Sequence, residues 1–195
     1  MRNESKARPP SNILEAQFRR KRRRNSSTEK TRSSLYLTLE SNKRIQPLLE
    51  ERDDKDVKFY DQILFLDPTF KLQPYELLIT ATHLYLFKQQ SGKLKIECEF
   101  RNIIGTFLSH QSDNFLLIRL QSIGDIVLVS KRKVQIVDIL ASLWQRNSNF
   151  PIQIADRFKY TVKNKGKFAI VFSREPCGVR TSIYKEKEVQ SPDNR

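Results

Sequence analysis

The chain has 195 residues, with 36 Lys+Arg against 22 Asp+Glu for a net charge of +14, and 38% apolar and 10% aromatic residues. Such a composition supports one modest core with part of the chain left outside it, and no apolar run reaches the roughly 18–20 residues of a membrane-spanning helix. Two cysteines without CxxC spacing, two histidines and the lack of any GxxxxGKS or GxxxxGKT loop argue against a disulfide scaffold, a metal or other cofactor, and a nucleotide-hydrolysing enzyme.

Residues 1–34 carry 11 basic and 3 acidic residues, residues 35–150 carry 15 and 14, and residues 151–195 carry 10 and 5. The middle therefore reads as a near-neutral globular body, and the positive charge sits at the ends. Residues 1–34 form a basic arm, expected to be mostly mobile because like charges in series repel and hydrate well. A short helix capped by Ser11 would set Leu14 and Phe18 on one face. The arm is basic but lacks the apolar stretch of a signal peptide, which fits a cytosolic or nuclear protein.

From residue 35 onward the pattern is that of strands. The β-branched and aromatic stretch 57–66 ends at the turn signal Asp67-Pro68. Strands follow at 75–80 and 83–88, then a turn at Ser91-Gly92. Residues 93–100 alternate Leu94, Ile96, Cys98 and Phe100 against charged neighbours, a half-buried strand of period two. Further strands are expected at 102–108, 115–120 and 125–129. The stretch 131–146 breaks the alternation: Val134, Val137, Leu140, Ala141 and Trp144 fall at helical spacing, with Ser130 as the cap. Short strands at 152–154, 158–162 and 168–172 complete the chain, the last two joined by a hairpin turn containing Gly166. The fold class is mainly β with one amphipathic α-helix. Six or seven antiparallel strands before a helix predict a pleckstrin-homology-like barrel plugged by that helix, with additional C-terminal strands.

Particular residues, in order, resemble the tail-homology-1 domain of class I myosins. They are Leu77, Leu78, Ile79 and Thr80, the apolar strand from His83 to Phe87, and the turn from Ser91 into Ile96. Ile103 to Gly105, Ser109, Ser112 to Phe115, Gly124 with Asp125, and Ala155 to Phe158 continue the match. Leu35 to Leu39 is similar to the family's glycine-containing strand without its glycines. The resemblance divides the chain into the arm, a tail-homology-like domain over 35–190 and a short tail at 191–195. It implies a non-enzymatic, peripheral membrane-binding module with anionic phospholipids and the actin–myosin machinery as partners, cytoplasmic and without a motor domain. Beginning at Met1, the chain reads as a product lacking the motor or as a stand-alone relative.

In that family phosphoinositide binding uses basic residues of the first strand and of the loop to the second, which donate charge-assisted hydrogen bonds to ring phosphates. Lys71 matches a basic loop position. Tyr75 stands where the arginine is expected, and the strand lysine falls among Leu64, Phe65 and Leu66, so the pocket is degraded. Charge elsewhere compensates: Lys159, Lys163, Lys165 and Lys167 on one hairpin, Lys131, Arg132 and Lys133 at the helix start, and Arg19, Arg20, Lys21, Arg22, Arg23 and Arg24 in the arm. Each is worth about 1 kcal/mol near an anionic leaflet; the plainer reading is that turn lysines only solubilise. The arginine run also fits a nuclear import receptor or nucleic acid, and, less well in its spacing, a helix for a calmodulin-like light chain. Ser26, Ser27 and Thr28 directly after the run would weaken its attraction for lipid if phosphorylated. The alternative functions are a nuclear or nucleic-acid-binding protein and a protein-interaction adaptor that has lost lipid binding. Cys98 is expected in the core, Cys177 in an exposed loop, Trp144 as the barrel plug, and His83 and His110 in structural roles.

Overall fold

Alternation of apolar and polar residues builds strands wherever the sequence shows it. The computed structural model describes residues 45–121, 123–144, 149–162 and 165–186. The basic arm with Arg19 to Arg24, the 35–39 stretch, Lys163 and the last residues lie outside them. Helix α1 (Gln46–Glu51) precedes β1 (Val57–Leu66), β2 (Leu72–Thr80), β3 (His83–Lys88), β4 (Leu94–Glu99), β5 (Ile103–Leu108), β6 (Phe115–Leu120) and β7 (Gly124–Val129). Helix α2 (Lys133–Ser142) follows, then β8 (Ile152–Ile154), β9 (Arg157–Val162), β10 (Gly166–Glu175) and β11 (Gly178–Lys185).

Eight strands form one sheet in the order β4-β3-β2-β1-β7-β6-β5-β8, and β11-β10-β9 form a second. All neighbours are antiparallel except β5 and β8. The mostly β fold with a covering helix is as expected, and among the described residues no pairing links β4 to β5 or β8 to close the sheet. A 3-10 turn at Phe100–Asn102 redirects the chain between β4 and β5, and β1 holds β7 through only Leu64↔Val129 and Phe65↔Leu128.

The concave face buries Phe59, Ile63, Leu77, Ile79, Leu86, Leu116, Ile118 and Leu128 under Ile136, Val137 and Leu140 of α2. The helix covers this core as expected, but it is rotated relative to the predicted stripe. Val134 is 59% exposed because it lies in the first turn, at the rim of the core. Trp144 falls beyond the helix, where its ring meets Phe150 edge-on at 5.1 Å, so the plug is aliphatic. Ser130 Oγ accepts the Arg132 N–H at 3.0 Å, a start signal as predicted, although Arg132 itself is the N-cap.

A second core lies on the convex face of β5–β7. Phe107, Phe115, Leu117, Val127 and Val129 pack there against Phe158, Tyr160, Phe168, Ile170 and Phe172 of the three-stranded sheet. A third forms where Ile45, the N-cap of α1, and Leu49 within it meet Tyr60, Leu78, Tyr85 and Phe87. Buried Asp54 fastens this junction, accepting hydrogen bonds from Thr80 Oγ1 at 2.6 Å and the Tyr85 hydroxyl at 2.9 Å, with His83 Nδ1 at 3.3 Å. Burial and the Asp54 hydrogen bond push the Tyr85 hydroxyl well above its usual pKa. His83 and Cys98 are thus structural, the thiol pushed up to about 11 by burial and Glu99.

Truncating the plug should cost far more than trimming the rim. Leu140→Ala is expected to lower unfolding free energy in urea by about 2–5 kcal/mol, and Val134→Ala to change it by no more than about 0.5 kcal/mol. Equal losses would show that α2 does not close the core in this rotation.

Candidate functional site

Strand direction gathers four turns at one end of the molecule. The β1–β2 loop follows Leu66, which pairs with Leu72. Tyr75 opposite Lys88 brings the end of β3, and with it the β3–β4 turn, to the same end. β7 runs antiparallel to β1, so the β6–β7 turn arrives there too. The β9–β10 hairpin joins them because the second sheet is pinned to β6 and β7. Asp125 Oδ2 accepts the Thr161 N–H at 3.0 Å, and Arg119 donates to the Lys159 carbonyl at 3.0 Å while pairing with Asp125 at 2.9 Å.

The exposed cations at this end are Lys71 on the first loop, Lys165 and Lys167 on the hairpin, and Lys88 and Lys93 flanking the β3–β4 turn. The last two were missed in the sequence. Their signal was the cross-turn pair around Ser91-Gly92, closed by a Lys88 N–H to Lys93 carbonyl hydrogen bond of 2.9 Å. Lys165 reaches across the gap between sheets. Its Nζ donates to the Pro68 carbonyl at 2.5 Å and sits 5.8 Å from the centre of the Phe70 ring. Two cationic groups that the sequence separates by almost a hundred residues thus share one surface.

The β1–β2 loop is shaped by Asp67. Its Oδ1 accepts from the Thr69 N–H at 2.7 Å, the Thr69 hydroxyl at 2.6 Å and the Lys71 N–H at 3.0 Å. Slight burial opposes ionisation, but these hydrogen bonds and the Lys71 charge outweigh it and hold the carboxyl below its ordinary value. Phe70 follows at φ +64°, a left-handed conformation that costs a side-chain-bearing residue roughly 1–2 kcal/mol. Its ring packs on Phe168 at 4.7 Å between centroids.

The strand pocket is filled differently. Tyr75 is 7% exposed, inside the first core, with its ring edge-on to Phe65 at 5.2 Å. An aromatic pair thus occupies Tyr75 and one of the three candidate positions for the strand lysine, and neither ring is turned out to meet a headgroup. At the helix start, Arg132 and Lys133 are taken up internally. Arg132 lies over the Phe59 ring at 4.6 Å, 3.6 Å from Asp61, and bonds Gln135 at 2.9 Å. Lys133, with a nearly buried side chain, pairs with Asp113 at 3.2 Å. Burial raises the carboxyls of Asp61 and Asp113, against the pull of Arg132 and Lys133 respectively. Of that triplet only Lys131 is exposed. Lys159 shares Glu186 with Arg157 at 3.3 and 3.2 Å. A separate cavity of about 260 Å³ opens beside Ala81, Thr82, Phe100, Leu143 and Trp144, where the Glu99 and Arg101 charges pair with each other. Among the described residues no His, Cys, Asp and Glu side chains gather in a metal-binding group, and no helix is long and apolar enough to cross a membrane.

Residues 22–195 match the family described as the unconventional myosin tail, actin- and lipid-binding. The chain belongs to this family. It is 26% identical over 180 residues to the myosin IC heavy chain of Acanthamoeba castellanii, a match covering 84% of this chain and 15% of that protein. It is 27% identical over 169 residues to the myosin IB heavy chain of Dictyostelium discoideum, covering 81% and 15%. The chain therefore spans about 15% of the length of these relatives. Among solved structures, the hSac2 domain from human phosphoinositide phosphatase Sac2 overlaps 77% of this chain and 98% of its own, at a TM-score of 0.42 and 16% identity. The tail-homology domain is a non-catalytic module.

Asp67 makes the loop acid-sensitive. Its folded pKa lies below the unfolded value of about 3.9, so its contribution to stability is present above that value and lost as pH falls through the folded one. A carboxyl-carbon NMR titration should give Asp67 a midpoint below that of an unstructured aspartate. In Asp67→Asn this part of the acid destabilisation should disappear. A midpoint at or above the ordinary value would mean that the three hydrogen bonds do not form.

Proposed function

We propose that this chain is a peripheral membrane-binding tail module, held to anionic phospholipid mainly by lysines at the gathered loop end. One observation carries the reading. The β9–β10 hairpin sets Lys165 against the β1–β2 loop that bears Lys71, which merges two weak cationic groups into one surface with Lys167, Lys88 and Lys93 nearby. Each lysine near an anionic leaflet contributes about 1 kcal/mol, so several acting together suffice without a dedicated pocket. The Phe65–Tyr75 pair supports the same view, since the strand positions where a phosphate-binding pair would act are apolar and buried. Attraction of this kind selects charge density over headgroup stereochemistry. Lys163 and the arginine run at 19–24 add positive charge of the same sign.

Membership of the actin- and lipid-binding tail family supports a cytoplasmic, membrane-peripheral place in the actin–myosin system. The open-edged sheet with its capping helix serves here as a pleckstrin-homology-like scaffold for the loops. A nuclear or nucleic-acid role draws only on the arginine run, and nothing in the described residues favours it. The adaptor alternative is what remains if lipid binding is absent.

Sedimentation with phosphatidylserine-containing vesicles should be strong at low salt and fall steeply towards physiological ionic strength. Lys165→Gln is expected to weaken binding about fivefold, the equivalent of ~1 kcal/mol. Lys159→Gln, whose ammonium already faces Glu186, should weaken it less. Equal binding to neutral vesicles, or indifference to salt, would refute the electrostatic mechanism.

A further inference from the structure

The three-residue β1–β2 hairpin loop places a phenylalanine at its left-handed position, where glycine is usual. Asp67 organises the turn through the N–H groups of Thr69 and Lys71, and the Asp67 carbonyl accepts the Phe70 N–H at 2.9 Å. At φ +64° a glycine would sit without strain, whereas a phenylalanine there is held against its preference. Strain of this kind persists only where surrounding contacts over-determine it. The hairpin's own bonds set this conformation, Phe70 N–H to the Asp67 carbonyl and Asp67 N–H to the Lys71 carbonyl, and two contacts from the second sheet then engage the side chain. The Phe70 ring packs on Phe168 at 4.7 Å, and Lys165 Nζ stands 5.8 Å from the ring centre while donating to the Pro68 carbonyl.

We infer that Phe70 is a clasp that joins the β1–β2 loop to the β9–β10 hairpin and so presents Lys71 and Lys165 together to the phosphates of a lipid surface. The inference rests on the membrane-binding function proposed above and assigns that surface its positioning residue. The chemistry suits the task. Lys165 is steered by a carbonyl oxygen and a π face, both neutral, so its ammonium keeps its full charge. An ion pair would have held it as firmly and cancelled that charge, as happens at Lys133 with Asp113. The carboxylate beside Lys71, Asp67, has one oxygen engaged by three loop donors. The clasp also explains how a hairpin from one sheet and a loop from the other can act as one electrostatic unit. Without it, each lysine would spend part of its time directed elsewhere.

The test is a double-mutant cycle on the full chain, read by sedimentation with vesicles of phosphatidylserine and phosphatidylcholine at several salt concentrations. Phe70→Gly removes the ring and relieves the backbone, so the fold should survive, which a circular-dichroism melt will check. Its affinity should fall several-fold and its salt dependence should flatten by about one charge. Adding Lys165→Gln to Phe70→Gly should cause little further loss, and Phe70→Tyr, which keeps the ring, should bind as the unsubstituted chain does. Unchanged binding by Phe70→Gly, or losses that simply multiply in the double variant, would overturn the clasp while leaving membrane binding intact. Failure of the unsubstituted chain to bind acidic vesicles would overturn both.

Discussion

Apolar side chains on both faces of β5–β7 are the constraint from which the rest of this structure follows. Leu116, Ile118 and Leu128 point into the concave core, while Phe115, Leu117, Val127 and Val129 point out of the convex face. A single bent sheet with one capping helix can cover only the first set. Leaving the second in water would forfeit about 1.5–3 kcal/mol for each large side chain, a sum comparable to the whole stability of a domain this size. The second sheet is therefore an obligatory cover, and its attachment to β6 and β7 fixes where its hairpin emerges.

That placement sorts the charges. Desolvating an ion without a partner costs more than a surface attraction can return, so the cations that packing brings inside must be paired. Lys133 meets Asp113, and Arg132 meets Asp61 and the Phe59 ring. Those groups hold α2 to the sheet and have little charge left to offer. The lysines at turn tips keep their solvent and remain available. The division between structural and accessible charge is thus a consequence of burial, and it runs through residues adjacent in sequence, Lys131 against Arg132 and Lys133.

The aromatic pair Phe65–Tyr75 makes a related trade. Edge-on rings add to the concave core and tie β1 to β2. The same pair leaves no guanidinium or ammonium at the strand positions where the family resemblance would put them. In the membrane-binding reading proposed above, charge is offered at the tips of the loops and not in a recessed pocket.

The sequence by itself determined the strands β1–β7, the helix after them in its approximate span, the β9–β10 hairpin, the burial of Cys98 and the family. These rest on short-range signals: period-two alternation, Gly and Pro at turns, and motif order. It did not reveal α1, a helix of only six residues that packs Leu49 against β1–β3, nor β11, although Val179, Thr181 and Ile183 alternate behind the turn at Gly178. The rotation of α2, the open edges at β4 and β8, and the separation of paired from free cations were decided only in three dimensions. Each depends on which surfaces meet, and the meeting of Lys165 with Pro68 joins residues 97 positions apart. No local pattern encodes such a contact, because it arises from the docking of two sheets that each form from their own neighbours.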